Sequence, residues 1–268
     1  MARLSMNEMT TYRWSFEEDV AHYKAAGIPA IGVWRQKLSD YGEEKGIELL
    51  AESGLAVSSL LWAGGFTGSD GRSFRDSIDD AFEAVRLAAM MQAGCLVVYT
   101  GSRYQHTHNH AKRLARDALR EVSGLAADLG VQLALEPMHP GCATDFTFLT
   151  DIDKTLELIE AVGNPALRIV FDTYHFGHDD QVRSQLGELA PRIAIVHLGD
   201  GHEPPQREQN RARLGEGNVP LAEIVDGLVR GGYNGDYDVE LMGEDIENSC
   251  YKSLLADSKC AFDRLVAS

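Results

Sequence analysis

Residues 131–140 read VQLALEPMHP, and the way this stretch ends decides the fold. An apolar-rich run leads to Glu136 and is then broken by Pro137. A short buried strand does not carry a carboxylate at its end unless something compensates the charge. The arrangement recurs: RIVFDTYH ends near Asp172 and His175, RIAIVHLGD near His197, and YDVELMGED near Glu240. Four apolar strands thus each deliver a metal-type ligand at or near the carboxyl end. The rest of the chain reads as the frame that brings those ends together.

Working outward, strand and helix alternate eight times. Before residue 131, strands are expected at 4–9, 28–34 (IPAIGVW), 55–62 (LAVSSLLW) and 95–101 (CLVVYTG), with helices at 15–26, 41–52, 73–91 and 109–129. After it, helices are expected at 151–162, 181–189, 221–230 and 248–266, between strands carrying LRIVFDT, RIAIVHLGD and YDVELM. Ser15 and Glu18 have capping-box spacing, and Asn109 is the expected cap of its helix. Gly27, Gly54, Gly94 and Gly130 each close a helix just before an apolar strand. Near-continuous Val, Ile and Leu runs are expected of strands buried on both faces. Regular alternation means parallel strands with crossover helices. Eight units in 268 residues fit one α/β domain, a closed (β/α)8 TIM barrel. An open doubly wound sheet is the competing fold, but it would gather ligands mainly at one switch point. Ligand-type residues on the fifth to eighth strands favour closure.

A hydrophobic fraction of 44% suffices for a full core. The net charge of -16 argues against nucleic acid, because phosphate binding needs a basic face. Cys95, Cys142, Cys250 and Cys260 show no CxxC spacing and read as reduced cytosolic thiols, Cys95 as a small core residue. No run is long enough to span a membrane, and the N-terminus lacks the apolar core of a signal peptide, so the expected location is cytoplasmic. Exposed helices on such barrels often pair, which leaves a homo-oligomer open.

Glu136, Asp172, His197 and Glu240 make three carboxylates and one imidazole. This mostly hard set suits Mn²⁺, Mg²⁺ or Co²⁺, whereas Zn²⁺ more often takes sites richer in His or Cys. Such an ion polarises a carbonyl and acidifies the neighbouring C–H, and a carboxylate or imidazole removes the proton. Each residue alone has a plainer reading: a salt-bridged strand end for either Glu, a helix cap for Asp172, a core histidine for His197. Together, at equivalent ends of consecutive strands, they read as a site, because catalytic residues of such barrels sit there. His139 and His175 follow Glu136 and Asp172 by three residues, within reach of a substrate hydroxyl. Trp34, Trp62 and Tyr99 close the second to fourth strands and offer an apolar wall for a sugar ring. The loop GGFTGSDG reads as a mobile lid, since it lacks the Lys of a phosphate loop. His106, His108 and His110 read as surface residues. Of Arg207, Arg211 and Arg213, one folding over the mouth would clamp an oxyanion.

At these residues the chain resembles the sugar phosphate isomerase/epimerase superfamily, the xylose isomerase-like barrels. The resemblance spans nearly the whole chain and rests on LALEP with Glu136, VFDTYH with Asp172 and His175, IVHLGD with His197, LGEG at 214–217, and YDVEL with Glu240. It implies that Glu136, Asp172, His197 and Glu240 bind a divalent ion, commonly Mn²⁺, with Mg²⁺, Co²⁺ or Zn²⁺ as alternatives. Glu136 and Glu240 would also shuttle a proton beside the carbonyl of a ketose or keto-inositol, and His175 would contact substrate oxygens. An Arg that in the ketose 3-epimerases follows the metal His by six residues is Glu203 here, so Arg207 or Arg211 would have to replace it. The run EPMHP is also similar to the catalytic subunit of C-glycoside deglycosidases, lyases that eliminate an aglycone from a 3-oxo-glycoside; there His139 would be the base. Endonuclease IV-type nucleases share the barrel but need more His ligands and a basic face. A small-molecule sugar is the expected partner, with no nucleic acid and no membrane.

Overall fold

The computed structural model describes residues 2–267. Eight strands alternate with helical connections: β1 (Arg3–Asn7), β2 (Ala30–Trp34), β3 (Ala56–Gly64), β4 (Cys95–Tyr99), β5 (Leu133–Leu135), β6 (Leu167–Asp172), β7 (Ile193–Leu198) and β8 (Asp236–Val239). Each pairs in parallel with the next, and β8 pairs with β1, so the sheet closes into the expected barrel. Leu61, Cys95, Val97, Ala134, Val170 and Ile195 pack together inside it, which places Cys95 in the core as expected. The larger apolar core joins the outer faces of the strands to the helices, including Phe74–Met90 and His108–Asp128.

Local signals account for most boundaries. Ser15 accepts from the Glu18 N–H while Glu18 Oε2 accepts from the Ser15 N–H, which starts the helix Phe16–Ala25. Gly54 follows the helix Glu43–Ser53 with φ +78°, a left-handed value that costs glycine least. Several expectations are corrected. The helix expected at 41–52 stands at Glu43–Ser53, and an unexpected one, Arg35–Tyr41, precedes it, with Gly42 at φ +105° between them. The helix expected at 181–189 is two short turns, Asp180–Ser184 and Leu186–Leu189. Thr107, not Asn109, caps the helix after β4 by accepting from the His110 N–H. The loop expected as a lid is tied down: Phe66 is buried, Arg72 donates to the Gly64 carbonyl at 2.8 Å, and Ser69 Oγ accepts from the Ser102 N–H at 3.1 Å.

The register sets the chemistry. Asp172 stands opposite His197, and His197 opposite Asp238. Directly opposed residues on neighbouring strands project from the same face with side chains close together. The Glu240 N–H donates to the Leu198 carbonyl at 3.2 Å and the Glu136 N–H to the Val98 carbonyl at 3.0 Å, so both glutamates continue the ladder one residue past their strands. All four candidate ligands therefore arrive at the C-terminal mouth. Among the described residues no helix is long and apolar enough to cross a membrane.

Candidate metal centre and active site

Glu136, Asp172, His197 and Glu240 converge as the sequence implied. One donor atom from each lies within 4.8 Å of all the others, and all four side chains are buried. Oxygen and nitrogen ligands bond a divalent ion at about 2.0–2.5 Å, so donors on opposite sides of one ion stand about 4–5 Å apart. His197 Nδ1 lies 3.3 Å from Glu136 Oε1 and 3.5 Å from Glu240 Oε2, yet neither ring nitrogen makes an aligned hydrogen bond. A buried imidazole with both nitrogens unsatisfied, facing three carboxylates, fits a divalent cation.

Asp172 does both jobs considered for it. Its Oδ1 caps the turn Thr173–Phe176, accepting from the Tyr174 N–H at 2.7 Å and the His175 N–H at 3.3 Å. Its Oδ2 faces the cluster. Arg211 supplies the positive charge there: its Nη2 is 2.9 Å from Asp172 Oδ2 and 3.0 Å from Glu240 Oε2, and its Nη1 donates to the Glu240 carbonyl. The guanidinium also lies 4.7 Å from the centroid of the Tyr174 ring. Of the three loop arginines, Arg211 alone is folded into the centre. Arg207 is exposed beside Asp145, and Arg213 pairs with Asp257.

Electrostatics pushes the two glutamates apart. Burial disfavours the ionised form of both. For Glu240 the charges of His197 and Arg211 outweigh it and bring its pKa down to about 2. For Glu136 burial prevails over its contact with His197, and Glu240 and Asp172 add to the rise. Burial disfavours protonated His197 too, but Glu240 and Glu136 outweigh it and raise its pKa well above the usual 6.5. His175 is pushed down to about 4 by burial, with Arg211 adding to the fall, so it is a neutral imidazole at pH 7.

A cavity of about 150 Å³ opens at the cluster, lined by Glu136, His175, Arg211 and Glu240 on the polar side and by Met9, Trp62, Tyr99, Met138, Phe146 and Met242 on the apolar side. Both ring nitrogens of His175 are buried without a hydrogen-bond partner, Nε2 lying 3.8 Å from Asp172 Oδ2. The structure thus gathers Glu136, Asp172, His197, Glu240, His175 and Trp62 at one place. Trp34 stands one ring further out, 6.3 Å from Trp62. His139 lies outside this cavity, half-buried, its Nδ1 accepting from the Gly141 N–H at 3.1 Å.

Sequence reasoning passed over Asp238 and the methionine wall. Asp238 is fully buried inside the barrel, held by Asn7 Nδ2 at 2.9 Å and Ser59 Oγ at 3.3 Å. A Cβ on Gly32 would fall 2.2 Å from its Oδ2, so β2 needs glycine there. Burial pushes its carboxyl up to about 6. The signal was present: Asp238 precedes Glu240 by two, and residues two apart on a strand share a face.

Comparison with known proteins agrees with this geometry. Residues 20–254 match the family model described as xylose isomerase-like TIM barrel. The inosose isomerase of Bacillus velezensis is 25% identical over 256 residues, covering 89% of this chain and 88% of that protein. The L-ribulose-5-phosphate 3-epimerase UlaE of Escherichia coli K12 is 27% identical over 213 residues, covering 75% of this chain and 70% of that protein. The crystal structure of the IOLI protein, which has a zinc atom bound, superposes with a TM-score of 0.85 at 19% identity, covering 99% of this chain and 98% of that one.

Proposed function

The chain belongs to the xylose isomerase-like TIM-barrel family, and from that premise we propose that it is a divalent-metal-dependent isomerase or epimerase acting on a ketose or keto-inositol. The observation that carries this reading is the convergence of Glu136, Asp172, His197 and Glu240, donor atoms within 4.8 Å of one another, at a cavity of monosaccharide scale. The inosose isomerase and the epimerase among its relatives support the reaction class.

The donor set suits Mn²⁺, with Mg²⁺, Co²⁺ or Zn²⁺ able to use the same residues. When bound, the ion supplies Lewis-acid polarisation of a substrate carbonyl. The protein's own groups do the rest. Glu136 and Glu240 both line the cavity, and between them they take the proton from the carbon beside the carbonyl and return it. Neutral His175 donates to, or accepts from, a substrate hydroxyl through nitrogens that make no hydrogen bond within the protein. Arg211 steadies Asp172 and Glu240. Trp62 and the methionines exclude water from the apolar side of the ring. An elimination would instead use His139, whose Nδ1 accepts from the Gly141 N–H and which does not line the cavity. The four free thiols favour a cytoplasmic setting.

Turnover of a ketose or inosose in ²H₂O tests the proposal. Deuterium should enter at the carbon next to the carbonyl, and a chelator should stop it. Absence of incorporation across a panel of ketoses and inososes with Mn²⁺ present would refute it.

A further inference from the structure

Three aromatic rings climb from the cavity to solvent, and the chemistry above uses only the innermost. Trp62 lines the cavity. The Trp34 ring meets it edge to face, centroids 6.3 Å apart at 65°. Tyr12 stacks on Trp34 at 5.7 Å and 30°, and is 51% exposed. This step is built rather than incidental. The Trp34 N–H donates to Glu8 Oε2 at 2.7 Å, and Glu8 is fully buried. The Trp62 carbonyl accepts from Arg35 Nη1 at 3.0 Å, and Arg35 is itself held by Asp80. Two buried or half-buried charged groups thus fix the backbone on which the rings stand. The cavity below, about 150 Å³, has room for about one six-membered ring. Anything attached to that ring must leave through the mouth, past the step.

We propose that Trp34 and Tyr12 form an outer subsite for a second ring on the substrate. The reacting sugar sits at the carboxylate cluster, and a flat ring joined to it, an aryl group or a second sugar, stacks along the step. This rests on the sugar-ketone reading of the cavity. Both kinds of ring present an apolar face that an aromatic side chain covers. Trp34 and Tyr12 are already oriented, so little side-chain entropy is lost on stacking.

Binding to the Mn²⁺-loaded protein, followed by saturation-transfer NMR and calorimetry, tests the proposal. Fructose, tagatose and sorbose are compared with their O-phenyl ethers and with the glycosyl-fructoses lactulose, turanose and isomaltulose. A second ring should tighten binding about tenfold, the size of one aromatic stacking contact. Tyr12→Ala should reduce that ratio to about one while Mn²⁺ binding and thermal unfolding stay as in the parent. Whether the phenyl or the glycosyl series gains identifies the substituent. If simple sugars bind but a second ring adds nothing, or if the gain survives Tyr12→Ala, the outer subsite is overturned and the sugar reading stands. Failure of every sugar to bind overturns both. A dimer that dissociates in Tyr12→Ala, seen by light scattering, assigns the step to a second copy of the chain and overturns the subsite.

Discussion

Asp238→Asn exchanges a carboxylate inside the barrel for its neutral isostere, and the outcome follows from where that carboxylate sits. Asp238 is fully buried; its Oδ2 accepts from Asn7 and Ser59, while its Oδ1 has no hydrogen-bond partner. Burial pushes its pKa from 3.8 to about 6, although His197, Ser5 and Asn7 pull the other way. A carboxyl whose folded pKa exceeds its unfolded one holds its proton more tightly in the fold. Its contribution is fully present below about pH 3.8 and is lost as the pH rises through about 6. The displacement corresponds to about 3 kcal/mol lost by pH 8. Asn keeps an acceptor for Asn7 and Ser59 without the charge. The variant should therefore be more stable than the parent by about 3 kcal/mol at pH 8, with the gap narrowing towards zero as the pH falls to about 4. Urea unfolding followed by circular dichroism, with EDTA present, measures both. A variant no more stable at pH 8, or a gap independent of pH, would refute the reasoning. The same change removes a negative charge acting on His197, so Mn²⁺ should bind more weakly to the more stable protein.

Other outcomes follow from the same centre. Glu240→Gln removes one of the two carboxylates proposed to exchange the proton and should lower deuterium exchange by about 10²–10⁴ at saturating Mn²⁺; a loss of less than tenfold would give the proton to another group. Arg211→Met strands Asp172 and Glu240 as buried, unpaired carboxylates and should cost about 3–5 kcal/mol in urea unfolding with chelator, less with Mn²⁺ present. Because Glu240 and Glu136 raise the pKa of His197 well above 6.5, metal binding must displace its proton. Affinity for Mn²⁺ should then keep rising with pH above 6.5, where an ordinary histidine has already lost its proton, with proton release seen by calorimetry in buffers of different ionisation enthalpy; a flat profile above pH 6.5 would mean that His197 is already neutral.

The sequence by itself determined the barrel and the four residues that converge at its mouth. Parallel strands buried on both faces must be apolar throughout, so a Glu, Asp or His at the end of such a run is conspicuous, and eight repeats leave few ways to close. Capping boxes and closing glycines are equally local, which is why the Ser15 start and the Gly54 stop stand where expected. What tertiary structure alone decided was every choice between residues with the same local signal. Arg207, Arg211 and Arg213 look alike in a polar loop, and only packing against Tyr174 and the Glu240 carbonyl selects Arg211. His139 and His175 share the same spacing from a ligand, yet the turn capped by Asp172 buries one at the cavity, while Gly141 holds the other outside it. The lid became an anchored loop through contacts with Arg72 and Ser102. Hydrophobic periodicity is written along the chain, but burial and Coulomb fields are sums over neighbours from distant strands. The opposite fates of Glu136 and Glu240 therefore belong to the folded molecule.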